Sequence, residues 1–141
     1  MPQCPHPNIY NQEQMCELAS FFAKKLSKGS VLALFGPLGG GKTTFVRYLA
    51  HHLSIKDPVT SPTFTYLHIY DEVLAHFDLY RLKHSNEFFS MGFEEYFSPN
   101  FITIIEWPDI IAEFLPKETL QIHFSHHGNK REVLSNVEIL L

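Results

Sequence analysis

The sequence predicts a three-layer α/β domain, with helices on both faces of a mostly parallel sheet, on three observations. Val31-Leu32-Ala33-Leu34-Phe35 and Phe101-Ile102-Thr103-Ile104-Ile105 are short runs, apolar but for Thr103, of the kind that strands buried on both faces require. Amphipathic helical patterns lie between such runs. A glycine-rich turn joins the first run directly to a helix. With 141 residues the chain is of a size for one domain, taken as residues 1–141, which buries roughly two-thirds of its extended surface.

Each element has its own signal. Residues 1–10, with three prolines in the first seven, read as an extended lead-in. Met15, Leu18, Ala19, Phe22 and Leu26 recur at helical spacing, so Gln12 to Leu26 is predicted helical and stopped by Gly29. After Lys42-Thr43-Thr44, Phe45, Val46, Leu49 and Leu53 share one helical face. Asp57-Pro58 and Ser61-Pro62 mark a loop. Thr63 to Tyr70 and Val73 to Phe77 then form a hairpin about Asp71-Glu72. Ser85 to Met91 is a short helix closed by Gly92, and Pro108 suits the first turn of a helix over Asp109 to Leu115, which Pro116 stops. Leu120 to Phe124 and Glu132 to Leu140 are the last strands, around a His126-His127-Gly128-Asn129 turn. The expected sheet is mostly parallel with antiparallel additions at one edge.

Composition narrows the function classes. A formal net charge of −4 gives the chain no overall attraction for nucleic acid. The local basic run Lys24-Lys25-Leu26-Ser27-Lys28 is read as charge favourable to a helix C-terminus. Two cysteines, Cys4 and Cys16, are too few for a disulfide framework and fit a reducing compartment. Neither a signal-peptide pattern nor an apolar run of membrane length is present, so a cytoplasmic address and no membrane contact are expected. The spacings of the nine histidines match no zinc signature. Thirteen phenylalanines point to an aromatic core and to an apolar patch for a partner wherever they reach the surface.

The chemistry lies in Gly36-Pro37-Leu38-Gly39-Gly40-Gly41-Lys42-Thr43, a G-x-x-x-x-G-K-[ST] loop between strand and helix, which makes this a P-loop NTPase fold. Glycines allow the tight turn and let backbone amides approach phosphate oxygens, while the helix N-terminus adds the positive end of its dipole. Lys42 is expected at the β- and γ-phosphates and the Thr43 hydroxyl on Mg²⁺. An acidic partner for the metal belongs at the end of a second buried strand. Glu106 directly follows Phe101 to Ile105, and Asp78 ends Val73-Leu74-Ala75-His76-Phe77. One of the two would hold Mg²⁺ and the other orient the attacking water or act as base. Thr63, in Ser61-Pro62-Thr63, stands where a switch loop senses the γ-phosphate, or is a plain turn residue. Trp107, the single tryptophan, either packs structurally or covers the nucleotide and anchors a partner. Arg81 is read as pairing with a surface carboxylate rather than with transition-state charge. Asn129-Lys130-Arg131-Glu132 is the nearest approach to a guanine-reading Asn-Lys-x-Asp segment, with Glu132 misplaced, so ATP is favoured over GTP.

Together these segments resemble the TsaE (YjeE) family, P-loop ATPases of bacterial tRNA threonylcarbamoyladenosine synthesis. The resemblance rests on Gly36 to Thr44, Ser61-Pro62-Thr63-Phe64-Thr65, His76-Phe77-Asp78-Leu79-Tyr80-Arg81-Leu82 and Ile105-Glu106-Trp107-Pro108, and runs from about Glu13 to Arg131. It implies an ATP- and Mg²⁺-dependent subunit, weak alone, that supports TsaB- and TsaD-like partners and meets tRNA through that complex. It also implies that Leu38, Gly39, Gly40, Gly41, Lys42, Thr43 and Thr44 surround the triphosphate and that Thr43 and Glu106 lie at the metal. Asp78 would then serve hydrolysis, Trp107 activity, and Arg131 a place near the nucleotide. The family pattern commonly has an acidic residue at Pro37, alanine at Gly40 and a nucleotide-contacting threonine at Met15. Two other readings of the same loop stand beside this one: a small-molecule kinase, and a non-catalytic assembly factor gated by nucleotide.

Overall fold

The computed structural model describes residues 8–37, 41–60 and 66–140. Its secondary elements are β1 (Asn8–Tyr10), α1 (Gln12–Ala23), β2 (Val31–Phe35), α2 (Lys42–His52), β3 (Leu67–Tyr70), β4 (Leu74–Asp78), α3 (Ser85–Ser90), β5 (Ile102–Glu106), β6 (Leu120–His127) and β7 (Lys130–Ser135). Two 3₁₀ helices, Phe93–Tyr96 and Pro108–Phe114, flank β5 in sequence.

The strands form one sheet in the order β1-β7-β6-β2-β5-β4-β3. The central block β6-β2-β5-β4 is parallel. Antiparallel pairing occurs on both flanks, β3 against β4 on one side and β7 with β1 on the other, not at one edge as expected. The second flank arises because β7 folds back on β6 through a two-residue turn and its outer side is then covered by the lead-in strand.

Side-chain alternation along the central strands builds two cores. Leu32, Leu34, Ile104 and Ile122 point to the face covered by α1 and α2, where they meet Leu18, Phe22, Phe45 and Leu49. Ala75, Phe77 and Ile105 point to the opposite face and meet Phe88 of α3 and Ile111 of the second 3₁₀ helix. That face carries the aromatic core the phenylalanine content predicts, with ring centroids of Phe77 5.6 Å from Phe88 and 5.1 Å from Phe93. Such tilted and edge-on pairs add to the area they bury.

Several boundaries differ from the sequence reading, each for a local reason. Helix α1 opens on a capping box, Asn11 Oδ1 accepting from Gln14 N–H at 2.8 Å and Gln14 Oε1 from Asn11 N–H at 2.9 Å. It ends at Ala23, not Leu26: the N–H groups of Lys25 and Leu26 bond three residues back, to Phe22 and Ala23, so a tighter turn still delivers Leu26 to the core. The basic run therefore lies at and beyond the helix end, and no basic residue occupies its last turn. The hairpin turn has Asp71 and Glu72 both at positive φ, 51° and 57°, the conformation of a I′ turn, although neither is glycine. Compensation comes from outside the hairpin: Asp71 accepts from the N–H groups of Lys56 and Asp57, and Asp57 accepts from Asp71 N–H at 2.7 Å. The segment after Pro108 is a 3₁₀ rather than an α-helix. At the end of the chain, β6 continues through His127, β7 stops at Ser135, and the turn is reduced to Gly128-Asn129. Asn136 ends the ladder, its Oδ1 accepting from Gln121 N–H and its Nδ2–H donating to the Thr119 carbonyl.

Gly36, the first residue after β2, has φ 138°, and a Cβ there would sit 2.5 Å from the carbonyl oxygen of Phe124 in β6. Gly128 has φ 61°, and a Cβ there would meet nothing within 4 Å. Alanine at Gly128 should cost only about 1 kcal/mol of backbone strain, whereas Gly36→Ala should cost about 2–3 kcal/mol because backbone must also move. Urea unfolding of both variants checks the difference; equal losses would show that the loop's departure from the sheet is not sterically fixed.

Candidate active site

Strand register assembles the site. Leu34 of β2 and Asp78 of β4 are both in register with Glu106 of β5, so these residues form one row at the carboxyl ends of three parallel strands. Open α/β sheets place their ligand crevice there. Glu106 and Asp78 belong to the same alternation as Ile104 and Leu74, which face α2. Helix α2 begins at Lys42 directly over this row, its N-cap Gly41 in the left-handed region at φ 94°.

Four side chains converge. The Thr43 hydroxyl donates to Glu106 Oε1 at 3.2 Å. His76 Nε2 meets Glu106 Oε2 at 2.6 Å. Lys42, only 4 % exposed, donates from Nζ to the Gly36 carbonyl at 2.6 Å and lies 3.6 Å from the centroid of the Trp107 ring. Glu106 is 3 % exposed. Burial pulls the Lys42 ammonium below its usual range, opposed by the charges of Glu106, Asp78 and Asp109. A desolvated cation bonded to a neutral carbonyl and resting on an aromatic face favours an anionic ligand.

Asp78 is half-buried and accepts from Tyr80 N–H at 3.0 Å. Burial raises its carboxyl above the ordinary 3.8, the Tyr80 N–H pulls the other way, and the Glu106 charge adds to the rise. Trp107 has φ 56° and ψ 54°, a left-handed conformation uncommon for an aromatic residue and the kind of strain that gathers at functional sites. It turns the indole back over Lys42 and against Tyr80, centroids 4.8 Å apart, with Tyr80 exposed.

A cleft of about 180 Å³ adjoins α2, lined by Tyr10, Gln12, Met15, Gly41, Thr44, Asn129 and Arg131. The Arg131 side chain runs along Gly41, its Nε 3.5 Å from where a Cβ would stand, and that buried Nε has no hydrogen-bond partner among the described residues. Thus Gly41, Lys42, Thr43, Asp78, Glu106 and Trp107 come together, and Thr44 and Arg131 share the adjoining cleft. Leu38, Gly39, Gly40 and Thr63 lie outside the described residues. His76 was missed as a functional residue by reading the sequence. Its signal is a polar side chain two positions before a strand-end carboxylate, hence on the same face, in an otherwise apolar run.

The donor set fits Mg²⁺. That ion takes one or two protein oxygens and keeps phosphate and water oxygens for the rest, at about 2.1 Å, which separates neighbouring ligands by about 3.0 Å. Thr43 Oγ1 and Glu106 Oε1, 3.2 Å apart, are two hard oxygens at nearly that separation. Among the described residues no group of three or more His, Cys, Asp or Glu side chains converges into an all-protein cage. No helix among them is long and apolar enough to cross a membrane.

Fold and site define a P-loop nucleotide-binding domain. Comparison with known proteins narrows this further. The family model described as "Threonylcarbamoyl adenosine biosynthesis protein TsaE" matches residues 9–133. The "tRNA threonylcarbamoyladenosine biosynthesis protein TsaE" of Bacillus subtilis is 39 % identical over 127 residues, covering 87 % of this chain and 79 % of the relative. Its namesake from Treponema pallidum is 42 % identical over 99 residues, covering 69 % and 73 %. The crystal structure of Bacillus subtilis YdiB superposes with a TM-score of 0.72 at 33 % identity, covering 94 % of this chain and 84 % of that one. The chain belongs to the TsaE family.

An acid whose pKa is higher folded than unfolded binds its extra proton only in the folded state, so stability is lost as pH rises from the unfolded pKa through the folded one. Asp78 is such a group. Asp78→Asn keeps an oxygen for the Tyr80 N–H and removes the charge. It should therefore raise the thermal midpoint more at pH 7 than at pH 4; calorimetry at both values checks this, and a gain that grows toward acid would contradict it.

Proposed function

We propose that this chain is the Mg²⁺-dependent ATPase subunit of a tRNA threonylcarbamoyladenosine-forming complex. The observation that carries the reading is the convergence of Lys42, Thr43, Asp78 and Glu106 at one row of strand ends beneath a helix N-terminus. The loop amides from Leu38 to Thr44 and the Lys42 ammonium hold the triphosphate, with Lys42 leaving the Gly36 carbonyl as the charge-assisted phosphate contact forms. Thr43 and Glu106 would hold Mg²⁺, which when bound screens the phosphate charge. Arg131 lies beside the nucleotide in the cleft with Thr44 and Met15.

Hydrolysis follows from the chain's own groups. Asp78 orients a water and takes its proton as the water oxygen bonds to the γ-phosphorus. The bond from that phosphorus to the β–γ bridging oxygen breaks, giving ADP and orthophosphate. A half-buried carboxyl with an elevated pKa is a better base than an ordinary aspartate. Thr63 senses the γ-phosphate from its loop, and the Trp107–Tyr80 pair, half in solvent above Lys42, transmits nucleotide state to a partner surface. TsaB- and TsaD-like proteins are the partners, tRNA is met through them, and the work is done in the cytoplasm.

Reconstitution with such partners and tRNA tests the reading, following orthophosphate and the modified nucleoside together. Partner-stimulated phosphate release alongside modification is expected. Lys42→Ala should lose ATP affinity about a hundredfold, and Asp78→Ala should keep nucleotide while hydrolysis falls at least about a hundredfold. Phosphoryl transfer to a metabolite without phosphate release would make the chain a kinase. Modification that proceeds with no hydrolysis would make it a nucleotide-gated assembly factor.

A further inference from the structure

His76 is a fully buried polar side chain that neither the loop nor hydrolysis explains. It lies in β4 between Ala75 and Phe77, both buried on the far face, and is in register with His68 and Ile104 on the neighbouring strands. Glu106 stands two residues beyond Ile104 on the same face, so His76 and Glu106 are diagonal neighbours and meet at 2.6 Å. Because an ionised carboxylate only accepts, Nε2 carries the hydrogen of this contact and points it at Glu106 Oε2. The other ring nitrogen, Nδ1, is buried with no partner among the described residues, so the ring is placed for this one contact.

We propose that His76 is the positioning residue of the metal-binding carboxylate: by holding Oε2 it fixes the Glu106 rotamer that presents Oε1 to the Thr43 hydroxyl. A glutamate has three rotatable bonds, and at a strand end facing a cleft nothing in its own backbone selects one arrangement. The contact fixes which oxygen faces the helix. Oε1 is thereby left 3.2 Å from Thr43 Oγ1, the arrangement of two adjacent ligands of one ion. The Tyr70 ring centroid lies 6.4 Å from that of His76, and the Tyr70 hydroxyl donates to the Thr60 carbonyl at 2.7 Å.

Outer-sphere partners of metal ligands characteristically change metal affinity by about 10- to 100-fold when removed. They leave contacts on the far side of the ligand untouched. This inference rests on Glu106 and Thr43 holding Mg²⁺ with a nucleotide, and the test separates the two claims. Calorimetric binding of a non-hydrolysable ATP analogue is measured with excess chelator and then across a magnesium titration, for the wild-type chain, His76→Phe and His76→Gln. In the wild type, magnesium should tighten binding; no effect of magnesium would overturn the metal assignment and this inference with it. Given that effect, His76→Phe should raise the magnesium concentration for half-saturation about tenfold while metal-free affinity stays within about twofold. His76→Gln, whose amide reaches the position of Nε2, should restore most of it. An unchanged magnesium midpoint in the Phe variant, or an equal loss with and without metal, would overturn the proposal. Should the Phe variant not fold, His76→Asn, whose amide reaches only as far as Nδ1, takes its place with the same two outcomes.

Discussion

The structure depends on a carboxylate and an ammonium both held out of water at the end of the sheet where three parallel strands finish together. Glu106 and Lys42 are each almost wholly buried. Desolvating such groups costs several kcal/mol apiece unless other groups compensate. Glu106 is compensated by a hydroxyl and an imidazole. Lys42 makes its contacts among the described residues with a carbonyl and an aromatic face, and the charges of Glu106, Asp78 and Asp109 oppose its desolvation. Lys42 thus stands at the helix N-terminus bonded to a neutral carbonyl, a contact that an anionic ligand can replace.

The rest of the fold serves that condition. Apolar strands carry β2, β4 and β5 to a common end, and their register puts Leu34, Asp78 and Glu106 in one row. The close approach of Gly36 to the Phe124 carbonyl fixes where the chain leaves the sheet. The left-handed turn at Trp107 then folds the indole back over the lysine instead of letting it follow the strand outward. Aromatic packing on the far face, through Phe77, Phe88 and Phe93, anchors β4 from below, so the carboxylates above it keep their places. Besides Ser54, the non-glycine residues at positive φ among the described residues are Trp107 and the Asp71-Glu72 turn, where carboxylate contacts to Lys56 and Asp57 offset the strain.

Much of this was legible in the sequence because it rests on local rules. Two apolar runs, a glycine-rich loop and carboxylates directly after buried strands are periodicity and motif, and they gave β2, β4, β5, α2, Asp78 and Glu106. What depends on contacts between distant segments was not legible. The second antiparallel flank needs β1 to find β7 across the chain. The end of α1 at Ala23 and the 3₁₀ geometry after Pro108 are choices between hydrogen-bond patterns that apolar spacing alone does not distinguish. His76 read as one more residue of an apolar strand; only the register with β5 shows which carboxylate it meets.

The most direct measurement is a crystal structure grown with a non-hydrolysable ATP analogue and Mg²⁺. The expected result is the ion between Thr43 Oγ1, Glu106 and phosphate oxygens, with Lys42 Nζ moved from the Gly36 carbonyl onto the β- and γ-phosphates. A triphosphate bound elsewhere, or bound at the loop with Glu106 turned away from both Thr43 and the metal, would contradict it.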